Sequence, residues 1–186
     1  MGWFPVISAL LWLILRVASR EYLDVHAGMN LGVLTNILII LVLVFVSLLA
    51  HHRQMTKNSG AISFLEDFKR TLKYCLMFVL ASACAMFLYY GLLSNDIYEI
   101  KQASLSAFQS MLQDASAKAD FIAQHPDLSG KSDAELTENF TAQLSSNVTV
   151  HYRIVGSVFA LLLVSLAYSL LGVLIWRNFM RGGKAK

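Results

Sequence analysis

Charge is what this sequence has least of. Asp, Glu, Lys and Arg make up 15% of its 186 residues, against about 25% in a typical soluble domain, which excludes an ordinary water-soluble fold. Proline occurs twice and glycine ten times, too few for a disordered or collagen-like chain. The two cysteines, Cys75 and Cys84, fall on one expected helix. There their backbones stand about 13 Å apart, roughly twice the reach of a disulfide. They read as small apolar packing residues. Familiar chemistry is missing as well: the sequence contains no Gly-x-Ser-x-Gly, no His-Glu-x-x-His and no phosphate-cradling glycine loop. It nominates no catalytic, cofactor-binding or metal-ligating residue and no cofactor.

What the chain has instead is hydrophobic length. Apolar residues account for 56% of it, and Leu31 to Ala50, Leu76 to Ser94 and Val155 to Trp176 carry no charge at all. A helix needs about twenty such residues to cross roughly 30 Å of hydrocarbon. A fourth apolar stretch, from about Gly2 to Ala18, is short and interrupted by Arg16. It lacks the basic start and clear cleavage site of a signal peptide, so it reads as an uncleaved span with Arg16 reaching up to the interface. The expectation is an all-α integral membrane four-helix bundle. Residues 1–93 hold its first three spans, the second over Leu31–Ala50 and the third over about Leu72–Leu93. Tyr89 and Tyr90 sit where an aromatic belt belongs. Between the second and third spans, His51 to Ser63 reads as a polar connection. Ser63 and Glu66 then have capping-box spacing, and Ile62, Leu65 and Phe68 predict a short interfacial amphipathic helix over 62–71.

Residues 94–153 form the one polar excursion, expected as an extracytoplasmic helical hairpin. Leu105, Phe108, Met111, Leu112 and Ile122 mark an apolar face. The run from His125 to Gly130 breaks it with Pro126 and Gly130. A second capping-box pair, Ser132 and Glu135, precedes Leu136, Phe140 and Leu144 at helical spacing. The final span and a basic tail occupy 154–186. Four spans put both termini and the 51–73 connection on one side, with Arg53, Lys57, Lys69, Arg70, Lys73, Arg177, Arg181, Lys184 and Lys186. The other side offers only Arg16, Arg20, Lys101 and Arg153 near span ends. The positive-inside rule therefore makes the termini cytoplasmic. The net charge of +3 sits at the ends of hydrophobic runs and not in a stripe, which argues against nucleic acid as a partner.

The central parts of the spans contain no ionisable residue, which counts against a charge-coupled pump or carrier. Their neutral polar residues, among them Asn36, Ser82, Ser165 and Ser169, read as interhelical hydrogen bonds, with a pore lining as the alternative. In the last span Gly156, Ala160 and Ala167 lie within about 40° of one another, opposite Ser165, Ser169 and Gly172, so two neighbours can approach closely. His51 and His52 are adjacent and point apart, so they cannot chelate. At the outer interface, Asp24, His26 and His151 are the sole acid–base candidates for an enzyme acting on lipid or envelope precursors.

Several stretches resemble an uncharacterised bacterial inner-membrane family, domain-of-unknown-function family 4199. They are Ser59-Gly60-Ala61-Ile62-Ser63-Phe64, Tyr89-Tyr90, Lys131-Ser132-Asp133-Ala134-Glu135, and the run from Gly156 to Ser169-Leu170-Leu171. The resemblance implies a four-span layout and a bacterial inner-membrane setting, and carries no activity or site residue. The reading favoured by the residues is a multi-pass, non-enzymatic accessory or scaffold subunit. Its partners would be the lipid bilayer and either another membrane protein or further copies of itself. A small oligomeric transporter is the first alternative and the membrane-embedded enzyme the second.

Overall fold

A computed structural model describes residues 3–58 and 63–182 of the chain. Ile62, Lys184 and Lys186, and the side chains of Arg53, Lys57 and Arg181, lie outside what it describes. The described residues are all-helical. In chain order the α-helices are α1 (Phe4–Ser19), α2 (Val25–Asn58), α3 (Phe64–Leu88), α4 (Asp96–Gln113), α5 (Ala115–Gln124), α6 (Asp133–Asn147) and α7 (Val150–Gly182). A π-turn, Tyr89–Leu93, closes α3, and a 3₁₀ turn, Pro126–Leu128, follows α5. Among the described residues, three helical stretches are long and apolar enough to cross a membrane: Val25–His52, Phe64–Leu93 and Val150–Phe179. The apolar α1 has 16 residues, about 24 Å at 1.5 Å per residue. Large apolar side chains such as Leu38, Leu80, Phe159 and Ile175 cover the outside of these helices. A surface of that kind is compatible with a membrane protein and is foreign to one dissolved in water.

Specific contacts fix the helix directions. Trp12 and Arg16 meet α2 at Gly32 and Gly28, so α1 and α2 are antiparallel. Ser47 bonds Thr71 and His51 meets Asp67, which sets α3 antiparallel to α2. Arg153 lies against Met29 and Trp176 against Phe45, which runs α7 parallel to α2. One end of the packed helices (the outer end, by the sidedness expected above) therefore gathers the C-terminus of α1, the start of α2, the π-turn and the start of α7. The opposite end gathers His51, Asp67 and Arg177. Between them lies an apolar core that includes Trp12, Ile40, Leu43, Phe78, Val79, Met86, Tyr89 and Val173.

Several element boundaries differ from the sequence expectation. The polar run after Ala50 does not end α2, which continues to Asn58. The helix carries on past Ala50 because His51 pairs with Asp67 and His52 packs on the Trp176 ring. Among the described residues, no helix separate from α3 precedes the third span. Ser63 caps a single uninterrupted helix from Phe64, with the capping box to Glu66 formed in both directions. Its early polar residues serve tertiary contacts, Asp67 to His51 and Arg177, so nothing forces a break.

In the polar region, the expected first helix is two. Asp114 takes an extended conformation and its carboxylate accepts the N–H groups of Ser116 and Ala117, restarting the chain as α5. The second capping box, Ser132 with Glu135, opens α6. Hydrogen bonds from the Ser132 backbone and then its hydroxyl hold the Glu135 carboxyl below its ordinary pKa. Phe108, Leu112 and Leu136 form a small core of their own. Phe108 stacks on Phe140 at 4.1 Å and meets Phe121 edge-on at 5.5 Å. Lys118 pairs with Asp133 across the α5–α6 turn. Gly130, at φ 83°, makes the left-handed turn that only glycine adopts without strain.

Candidate functional site

The end where α1 closes and α4 begins holds the one fully buried ion pair among the described residues. Arg16, from the last turn of α1, is 3% exposed, and Asp96, the first residue of α4, is 1% exposed. Arg16 Nη2 donates to Asp96 Oδ2 at 2.7 Å. The Tyr89 hydroxyl donates to the same oxygen at 3.0 Å, and the guanidinium lies 5.0 Å from the centre of the Tyr89 ring. Charge-assisted hydrogen bonds and a cation–π contact thus converge on one pair. Each partner also suits its helix end: a cation at the C-terminus of α1 and a carboxylate at the N-terminus of α4.

Local structure explains how three separated residues meet. The π-turn is closed by Ser94 N–H donating to the Tyr89 carbonyl at 2.8 Å. It carries the chain from α3 into α4 with Tyr89 and Tyr90 both buried, their rings edge-on at 5.0 Å. Single π-turns of this sort interrupt helices preferentially at functional positions. On the other side, α2 gives the Arg16 side chain room. A Cβ at Gly28 would collide with its guanidinium, while one at Gly32 would stand in ordinary contact with its Cδ at 3.4 Å. The Trp12 indole donates to the Gly32 carbonyl at 3.0 Å, seating α1 against the same glycine face. Arg20 reinforces the junction, donating to the Leu93 carbonyl at 3.0 Å and lying 3.5 Å from Glu99. A cavity of about 110 Å³ adjoins the pair, lined by Arg16, Arg20, Asp24, Tyr89, Asp96 and Glu99 among others.

Two expectations are corrected here. Arg16 does not reach up to an interface. It turns into the protein, because Asp96 and the Gly28–Gly32 face offer it a counter-ion and space. Tyr89 and Tyr90 do not form an outward belt, since the π-turn directs both inward. The sequence reading missed Asp96, Gly28 and Gly32. The signal for the glycines was present: Gly28-Met29-Asn30-Leu31-Gly32 is the small-xxx-small spacing of close helix contacts.

The other residues weighed in the sequence scatter. Asp24 caps α2, accepting from the Ala27 N–H at 2.8 Å, while His26 and His151 are exposed and touch neither it nor each other's partners in any hydrogen bond given by the described residues. The three do not assemble an acid–base site. Of the pore-lining alternatives, Ser82, Ser165 and Ser169 are buried, and Ser169 donates to Cys75 Sγ at 3.7 Å. Only Asn36 borders a groove, between α2 and α7. His51 and His52 do point apart: His51 Nδ1 lies 2.7 Å from Asp67 Oδ1, and His52 meets the Trp176 ring. Arg177 donates to the other Asp67 oxygen at 3.3 Å, so a second polar knot closes the opposite end. His125 packs on Phe121. Among the described residues no three His, Cys, Asp or Glu side chains come together as metal ligands would.

Chemically, the Arg16–Asp96–Tyr89 network pairs its two charges with each other and its hydroxyl with the carboxylate, and leaves only the buried Arg16 Nε without a hydrogen-bond partner. No family model matches the chain, and neither a curated protein nor a solved structure is similar to it, so the geometry alone carries the functional argument.

Proposed function

We propose that the chain is a non-enzymatic accessory or scaffold subunit of a membrane, acting through protein–protein contacts made by the α4–α6 module. One observation carries this reading: the buried Arg16–Asp96–Tyr89 network joins α1, α3 and the first residue of α4. A catalytic or transporting site leaves its charged groups open to what it acts on. Here both charges are consumed in fastening a helix. Removing one partner of such a pair costs about 3–5 kcal/mol, an expense suited to holding α4 at a fixed angle where it leaves the membrane. Ile97, one residue on, packs into the core beside it. The module's own small aromatic core then gives it a defined shape to present.

In this reading α1 is a fourth span. Its direction along α3 and the internal neutralisation of Arg16 both favour it, since a paired arginine is tolerated at membrane depth where a lone one is not. Both termini would be cytoplasmic and residues 94–153 extracytoplasmic, on the balance of basic residues. The bacterial inner-membrane setting is supported by the resemblance to family 4199 alone.

The test is purification of the chain from its native membrane in a mild detergent. The wild type is expected to migrate with a partner subunit or a second copy. The Asp96→Asn chain, still inserted, is expected to lose it. Recovery of the wild type as a lone monomer overturns the proposal.

A further inference from the structure

A groove of about 340 Å³ runs between α2 and α7 near the outer end, within the range of about 300–1,000 Å³ typical of ligand pockets. Its floor is small on the α7 side, at Gly156 and Ala160, and its walls are apolar, with Trp12, Val33 and Leu161 among them. A smooth apolar groove alone identifies no occupant. Two polar side chains within it do.

The first is Asn36. The residue is 4% exposed and lines the groove, and its amide oxygen has no hydrogen-bond partner. A buried amide without a partner costs about 1–3 kcal/mol, so the position is explained if a ligand supplies one. The second is Arg153, at the mouth. Its Nη2 rests 2.8 Å from the Met29 sulfur, a weak acceptor, and its buried Nε has no partner. None of the ion pairs formed among the described residues includes it. Arg16, one helix away, has Asp96; Arg153 has a thioether.

Spacing joins the two. Met29, which marks the level of the Arg153 guanidinium, precedes Asn36 by seven positions on α2, about 10 Å along the axis. The groove therefore offers a cation at its mouth, a hydrogen-bonding amide about 10 Å deeper, and apolar walls beyond. We propose that it binds one anionic phospholipid. The phosphate sits at Arg153, the glycerol and its esters run past Gly156 to the Asn36 amide at the level of Ala160, and one acyl chain continues deeper along Val164. A partner helix would have to bring both a carboxylate and a polar side chain to these two levels; a phospholipid carries its charge, esters and chains in that order already. The inference rests on the membrane reading of the helices and is independent of the scaffold proposal.

Native mass spectrometry of the full-length chain tests it, using protein exchanged into detergent with phosphatidylglycerol and phosphatidylcholine of equal chain length. The wild type is expected to retain one phosphatidylglycerol, preferred over phosphatidylcholine by about fivefold for one interfacial arginine. Ala160→Phe, which fills the groove, should abolish retention. Arg153→Gln, which leaves the apolar floor intact, should retain a lipid but bring the preference to about one. Equal retention of the two lipids by the wild type overturns the proposal. So does unchanged retention in a monodisperse Ala160→Phe protein, or displacement of the lipid by millimolar inorganic phosphate. Should Ala160→Phe fail to fold, the Arg153→Gln preference decides: a fivefold bias that survives it sinks the site.

Discussion

At the scale of single residues, Arg16 and Asp96 carry more of the molecule than any other pair. Each is buried, and each is the reason the other is tolerated. Arg16→Met is expected to cost about 3–5 kcal/mol, because it leaves the Asp96 carboxylate buried with only the Tyr89 hydroxyl. Asp96→Leu should cost a similar amount by stranding the guanidinium. The double variant, Arg16→Met with Asp96→Leu, should recover most of the loss, since apolar pairs of similar volume often replace buried ion pairs without penalty. Unfolding titrations with sodium dodecyl sulfate in mixed micelles measure all three. A double variant as unstable as the sum of the singles would show that the pair does not act as a unit. Neither residue announced itself in the sequence. Arg16 looked like a headgroup anchor because anchoring is what an arginine at a span end ordinarily does. Asp96 looked like one acid among eight in a polar region. Only the π-turn, which sets the Tyr89 hydroxyl beside the Asp96 carboxylate that Arg16 also meets, makes them a site, and no sequence period encodes a single wide turn.

Elements were easier to read than their junctions. The uncharged runs at 31–50 and 155–176, and the third run from 76 to 93, lie within helices long enough to span, because hydrophobic length is a direct consequence of what surrounds a helix. Both capping boxes were legible for the same reason: they are local. The Asp114 break was not, since apolar spacing continues through it from Leu112 to Ile122 while the carboxylate caps a new helix. The two small faces of α7 make the point sharper. The Ser165, Ser169 and Gly172 face packs inward, with Gly172 against Val44, where a Cβ would clash. The Gly156, Ala160 and Ala167 face is left exposed, and nothing lies within 4 Å of a Cβ at Gly156. Equivalent in sequence, the two faces differ in tolerance. Gly172→Leu is expected to destabilise by about 1–3 kcal/mol through overpacking. Gly156→Ala should be neutral or stabilise by up to about 1 kcal/mol, the usual gain on removing a glycine from a helix interior. The same titration separates them, and an equal cost at both positions would contradict the assignment of the faces.

For the whole molecule, the interhelical contacts set the direction of every long helix relative to the others, so one labelling experiment orients them all. Asp120 is exposed on α5, at the end where α3 runs into α4. Trp3 lies at the start of α1, which runs parallel to α3, so a spanning α1 puts Trp3 at the opposite end. The basic residues Lys69, Arg70, Lys73 and Arg177 belong to that opposite end too, where Asp67 meets both His51 and Arg177. Positive charge is retained on the cytoplasmic side during insertion. In a chain with Cys75 and Cys84 replaced by alanine, a cysteine at Asp120 should therefore react with a membrane-impermeant thiol reagent in intact cells. Cysteines at Lys184 and at Trp3 should react only after lysis. Reaction at Lys184 but not Asp120 in intact cells would invert the molecule. Reaction at both would mean that α7 does not cross, against its hydropathy and its length of 33 residues. The Trp3 result bears on α1 alone. Its 16 residues span about 24 Å, short of the roughly 30 Å hydrocarbon core. A Trp3 cysteine labelled from outside, with Lys184 protected, would reduce four spans to three. It would leave α1 folded back on the outer half of α3, held there by Arg16 and Trp12.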